Sequence, residues 1–150
     1  MVTATILANN ILRRSFDQKS PITPMKLQKL LYFIYRDYLQ QTGKPLFAER
    51  FEVWKYGPVI SSVYHEFKQY RSGPVKDYSK DSAGESYLVK ETDLLRQIID
   101  DNWNKFKNVN GIYMSEITHR PKTAWRAAWD KRQYFLDDED IKNDNEGKSV

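Results

Sequence analysis

The sequence predicts a mainly α-helical domain of the α+β class, a single compact body with a small β element of two or three strands. Three observations carry this expectation. Thr23-Pro24 opens a long helix-period segment that stops at Gly43, and Thr92 opens another. Strand-like alternation is confined to short pieces, at Phe51–Lys55 and Tyr87–Val89.

Taken in order, Ile6, Leu7, Ile11 and Leu12 recur at helical spacing, so a first helix is expected from Val2 to Arg14, with Arg13 and Arg14 at the negative end of its dipole. In the second helix Thr23 is the N-cap and Pro24 the first helical residue, a position that needs no backbone donor. Leu27, Leu30, Leu31, Ile34 and Tyr38 form one face of it, and Gln28, Tyr32, Tyr35 and Leu39 an adjoining strip. Such wide coverage predicts a central helix packed on more than one side. The wheel leaves the sector of Lys26, Lys29, Phe33 and Arg36 for solvent or a partner.

Phe51 and Val53 alternate with Glu52 and Trp54 in a short strand that Gly57-Pro58 ends. A third helix follows, with Val59, Val63, Phe67 and Tyr70 as its apolar stripe and Ser61 or Ser62 at its start. Ser72 to Ser86 reads as loop, and Tyr87-Leu88-Val89 as a second short strand. Thr92 caps a fourth helix carrying Leu95, Ile98, Ile99, Asn102, Trp103 and Phe106, and Asn110-Gly111 marks the turn after it. Short helical pieces around Ser115–Thr118 and Thr123–Arg132 complete the domain, which is expected to occupy residues 1–141 and to end in a flexible acidic tail at 142–150.

The 150 residues suffice for one core, and 40% hydrophobic with 29% charged residues is a globular composition. Ten Tyr, seven Phe and four Trp favour bulky packing and also an aromatic protein-binding face. Without cysteine there is no disulfide or thiolate metal site. No apolar run reaches transmembrane length and the first residues lack a basic leader, so a cytoplasmic protein is expected, with no membrane partner. The net charge of +4 is uneven: residues 137–150 hold six carboxylates against Lys142 and Lys148, and the remainder is basic. A basic body suits nucleic acid or an acidic protein, and charge alone does not separate them.

Groups able to do acid–base chemistry are few. The two histidines are His65 and His119, and no zinc-protease, nucleophile-elbow or phosphate-loop motif is present. His65-Glu66 reads as a surface pair. Ser115 and His119 stand four apart, a spacing that permits a nucleophile–base contact, but no orienting third group accompanies them; the plainer expectation is that Ser115 caps a short helix and that Thr118 and His119 hydrogen-bond at its far end. Lys26, Lys29 and Arg36 beside Tyr32 and Phe33 resemble a stripe for single-stranded nucleic acid, yet no recognition module comes with them. An exposed Phe33 ringed by cations fits a protein interface better, and Lys26, Lys29, Phe33 and Arg36 are the expected partner-binding residues.

Several ordered motifs resemble one family. Thr23-Pro24-Met25-Lys26-Leu27-Gln28-Lys29-Leu30-Leu31-Tyr32-Phe33, then Trp54-Lys55-Tyr56-Gly57-Pro58-Val59, then Ser115-Glu116-Ile117-Thr118-His119 with Trp125 and Ala128, resemble the Panacea-domain family of SocA-like antitoxins and phage-associated GepA-like proteins. The resemblance implies a protein-binding antitoxin, not an enzyme, with a cognate toxin as partner and no cofactor; some relatives act as adaptors that present a toxin to a protease. It makes Leu27, Lys29, Leu30, Tyr32, Trp54, Gly57, Pro58, Val59, Thr118, His119 and Trp125 fold-defining positions. The rival expectations are a phage protein that binds and inhibits a host or defence protein, and a small hydrolase or nucleotide-binding enzyme.

Overall fold

A computed structural model describes residues 2–150. Among these it contains seven α-helices and a two-stranded antiparallel sheet, in the order α1 (Ala4–Asp17), α2 (Pro24–Thr42), β1 (Glu52–Trp54), β2 (Gly57–Val59), α3 (Ser61–Phe67), a 3-10 turn (Lys68–Tyr70), α4 (Asp93–Phe106), α5 (Gly111–Thr118), α6 (Ala124–Asp130) and α7 (Asp138–Lys142). The mainly helical class with a small β element is as the sequence predicts.

Helix α2 is the axis of the domain. The Thr23 hydroxyl accepts from Lys26 N, Pro24 sits in the first turn, and Gly43 closes the helix with φ 72, the left-handed conformation glycine adopts without strain. Every residue from Lys26 to Arg36 is buried, because α1, α3, α4, α5, α7 and β2 all pack on this one helix. Five further helices also begin on a side chain that accepts from their first turn: Thr3 for α1, Thr92 for α4, Asn110 for α5, Thr123 for α6 and Asp137 for α7. Asn110-Gly111 is therefore a helix start as much as a turn.

The segment from Ser72 to Glu91 carries no strand, and Tyr87–Val89 departs from the expected one. Its backbone bonds go to side-chain amides instead. Asn10 donates to Val89 O at 2.8 Å and accepts from Val89 N at 2.7 Å, while Asn9 binds Ser79 O, Ser79 N and Tyr87 O. Two buried asparagines on α1 thus do for the loop what a neighbouring strand would do. Arg14 is likewise turned inward, pairing with Glu91 at 2.8 Å and Asp100 at 2.7 Å, which holds the Glu91 carboxyl below its ordinary range.

The last residues do not form the free tail expected from their composition. Asp144 is 1% exposed. Its carboxylate accepts from Tyr32 Oη at 2.6 Å, from Ala124 N at 3.2 Å and from Glu146 N at 3.0 Å. Gln40 donates to Lys142 O and Asp144 O, and Arg36 to Glu146 O. These polar bonds dock residues 142–147 on α2, where hydropathy alone gives no sign of them. None of the described helices is long and apolar enough to cross a membrane.

Candidate partner-binding groove

A pair of three-residue strands holds itself weakly. Here the hairpin is held from outside, by side chains that take its carbonyls almost one after another. Trp125 Nε1 donates to Trp54 O at 2.7 Å, His119 Nε2 lies 2.7 Å from Lys55 O, and Ser115 Oγ donates to Tyr56 O at 2.5 Å. From the other side Lys29 Nζ donates to Pro58 O at 3.0 Å and Gln28 Nε2 to Ile60 O at 3.0 Å, with Ile60 N returning to Gln28 Oε1 at 2.9 Å. Helices α2, α5 and α6 therefore meet at one turn of backbone.

Gly57 is required there twice over. Its φ of 119 is a conformation that L side chains rarely adopt, and a Cβ would stand 2.7 Å from Thr118 Oγ1 and 2.9 Å from Lys29 Cε. Thr118 Oγ1 in turn donates to Ser115 O at 2.6 Å. His119 Nδ1 lies 2.5 Å from that same carbonyl, and the ring packs at a 49° tilt against Trp125 with centroids 3.9 Å apart. An imidazole donates to one of its two carbonyl neighbours when neutral and to both when protonated. Each nitrogen is already engaged with backbone, so the Ser115–His119 spacing serves hairpin support and makes no nucleophile–base contact. Ser115 also sits inside α5 instead of capping it.

Lys29 is 1% exposed and its ammonium reaches a carbonyl but no carboxylate among the described residues. Burial lowers its pKa from 10.5 to about 7. The lysine is thus a structural donor whose charge is expensive to keep.

With the hairpin fixed, a groove of about 410 Å³ opens between it, the first turn of α2 and α3. Pro24, Met25, Trp54, Tyr56, Val59, Val63, Tyr64 and Phe67 give apolar walls, and the Trp54 and Tyr64 rings lie 4.7 Å apart. Tyr56 is 58% exposed and Tyr64 38%. Lys29, Lys55 and Arg71 line the same groove, and no Asp or Glu does. Beyond the hairpin tip a shallower depression is lined by Lys55, Tyr56, Ile112, Glu116, His119 and Arg120. No group of three or more His, Cys, Asp or Glu among the described residues has the spacing to hold a metal ion.

The expected binding strip is corrected. Lys26, Lys29, Phe33 and Arg36 are all buried, with 6% exposure or less. Lys26 Nζ donates to Lys107 O and Val109 O beyond the end of α4, Phe33 stacks on Phe106 at 4.9 Å, and Arg36 lies 4.8 Å over Phe33 with no exposure at all. A helical wheel assigns cations to solvent, whereas these long side chains run between helices and end on backbone carbonyls or on the docked carboxyl-terminal segment. His65 is exposed on α3, as a surface position should be, and Glu66 accepts from Ser79 Oγ at 2.8 Å. The motif positions Leu27, Leu30 and Tyr32 are core, while Trp54, Gly57, Pro58, Val59, Thr118, His119 and Trp125 assemble the hairpin and its clamps. Gln28, expected on the packed adjoining strip, and Ser115, expected as a helix cap, are clamps of equal standing, since each ends on hairpin backbone that only the folded chain brings near.

The clamped positions all lie in the segment that a family model matches. The family model described as antitoxin SocA-like, Panacea domain, matches residues 27–126, from the first turn of α2 into α6. The chain belongs to this family. Antitoxin SocA of Caulobacter vibrioides (strain NA1000 / CB15N) is 42% identical over 66 residues, which are 44% of this chain and 35% of that protein. The match thus spans about a third of the curated relative's length. No solved structure gives a significant match. Within the Panacea segment, every side chain that clamps the hairpin from Gln28 to Trp125 lies inside the matched range.

Proposed function

We propose that this chain is the antitoxin of a toxin–antitoxin pair, which neutralises its cognate toxin by direct protein–protein binding and without catalysing a reaction, in a bacterial or prophage setting. The observation that carries the reading is the use made of the chemically capable side chains in the family-matched segment. Lys29, Ser115 and His119 are spent on hairpin carbonyls, and what they hold in place is a concave aromatic face. A face fixed in this way loses little conformational entropy on binding, which favours tight recognition of a protein. Membership of an antitoxin family supports the same conclusion.

Co-expression with each neighbouring gene product, scored for growth rescue and co-purification, tests it. One small neighbouring protein is expected to be toxic alone, harmless with this chain, and recovered in complex with it. Failure to rescue any toxic neighbour overturns the reading, and binding to a phage or host protein without rescue moves the chain to the inhibitor class. The toxin's half-life in the rescued cells separates occlusion, where it persists, from delivery to a protease, where it falls. A folded His119→Ala protein that binds but no longer rescues would point to chemistry instead.

A further inference from the structure

The groove has a charge pattern that selects its occupant. Its walls are apolar and aromatic, yet three cations line it and no carboxylate does. Lys29 contributes from beneath the hairpin, while Lys55 and Arg71 are exposed. Neither Lys55 nor Arg71 forms a salt bridge among the described residues, so no acidic side chain of the chain itself offsets their charge at the groove. An unneutralised positive field over an apolar surface is repulsive to itself and complementary to acidic chain.

Arg71 adds a second observation. Its φ of 52 and ψ of −118 lie where L residues are rarely found. The surrounding turn enforces it: Arg71 N donates to Lys68 O at 3.0 Å, Gly73 N to Tyr70 O at 2.8 Å and Val75 N to Ile22 O at 2.8 Å. Strain of this kind persists only where neighbours over-determine it, and here it stations a guanidinium at the groove.

Resting on the antitoxin reading, we propose that the groove between α2, the hairpin and α3 takes an acidic segment of the partner protein, with an apolar side chain seated against Trp54, Tyr64 and Phe67 and carboxylates paired with Lys55 and Arg71. The Trp54–Tyr64 pair supplies the rigid aromatic contact that anchors such segments, and the two cations set its orientation. A strongly basic segment meets the like charges of Lys55 and Arg71 and is rejected.

The test uses three terminally blocked peptides with the full-length chain, titrated by calorimetry: Asp-Glu-Leu-Phe-Asp-Glu, its counterpart with Asn and Gln for the acids, and its counterpart with Lys for the acids. The acidic peptide is expected to bind about 10-fold or more tightly than the amide form, and the lysine form not to bind. Replacing both Lys55→Gln and Arg71→Gln should abolish that preference, and Tyr64→Ala should weaken the acidic and amide peptides together. Equal affinity for all three peptides, no binding by the acidic one, or a preference that survives the double replacement overturns the proposal. So does an oligothymidylate that displaces the acidic peptide and binds more tightly, since the cations would then serve nucleic acid. Growth rescue measured in parallel keeps the two readings apart. Wild-type rescue with no peptide preference retires the groove and leaves the antitoxin standing, whereas absence of any rescued toxin retires the antitoxin whatever the peptides do.

Discussion

Replacing Asp144 by alanine is expected to be among the most damaging single changes in this chain, although it falls six residues from the end in a segment whose composition suggests a loose tail. Its carboxylate is buried among Tyr32 Oη at 2.6 Å, Ala124 N at 3.2 Å and Glu146 N at 3.0 Å, with Arg36 Nη1 at 3.6 Å. Arg36 has no exposure, so its charge depends on Asp144, Asp37 Oδ1 at 3.1 Å and Glu146 O. Asp144→Ala orphans the tyrosine hydroxyl and one α6 amide and removes a counter-charge from a buried guanidinium. Breaking a buried pair on one side costs about 3–5 kcal/mol, and each orphaned buried donor about 1–3 kcal/mol, amounts that overlap and do not add. A net loss of about 3–5 kcal/mol is a large part of the roughly 5–15 kcal/mol that holds a domain of this size together. Removing residues 142–150 should cost at least as much, whereas the exposed Asn145→Ala should stay within about 0.5 kcal/mol. Urea denaturation followed by tryptophan fluorescence gives the order directly. A truncated chain, or Asp144→Ala, that unfolds at the wild-type midpoint would refute the docking of this segment.

Phe33→Ala should lose about 3–5 kcal/mol and Leu30→Ala or Leu31→Ala about 2–5 kcal/mol in the same assay, and folded Phe33→Ala should bind its partner normally, because Phe33 is core and not interface. Lys29 has a folded pKa lowered to about 7 by burial, so the unfolded chain holds more protons between that value and about 10.5, and wild-type stability should rise with pH across that window by at most about 1.4 kcal/mol per unit. Lys29→Met should lack this rise, and an identical slope in the variant would contradict the buried ammonium. Gly57→Ala forces a Cβ against Thr118 and Lys29 in an unfavourable φ and should cost about 1–3 kcal/mol, with hydrogen exchange quickened at the hairpin. His65→Ala, on the exposed face of α3, should change stability by no more than about 0.5 kcal/mol.

Local chemistry made much of the architecture legible. Thr23-Pro24 and Gly43 bound α2, and Thr92 starts α4, because caps and helix-compatible prolines act through the nearest backbone groups alone. What the sequence hid is polar and long-range. Lys26 ends on carbonyls 81 and 83 residues away, Asn10 pairs with Val89, and Asp144 with Tyr32, contacts that leave no periodicity behind. Asn10 substituting for a strand is why Tyr87–Val89, though strand-like, has no strand partner. α1 likewise runs on to Asp17 since Phe16 packs on Tyr78 at 5.0 Å, a loop residue that the helical period does not anticipate. At the site, the Trp54 and Gly57-Pro58 corner was readable as a fold-defining turn, but the groove beside it arises only when α3 folds back and brings Tyr64 to Trp54. The helical wheel misplaced the binding face for a related reason: it treats a cation as solvated, and α2 is enclosed on every side from Lys26 to Arg36.

Amide hydrogen exchange of the chain, alone and in complex with the gene product it neutralises, tests most directly the claim that the clamped hairpin and its groove meet the partner. The account predicts new protection at Trp54–Tyr56 and across Ser61–Arg71, with Asp93–Phe106 and Asp138–Lys142 unchanged. Protection confined to those last two helices, with the hairpin and α3 exchanging as in the free protein, would contradict it.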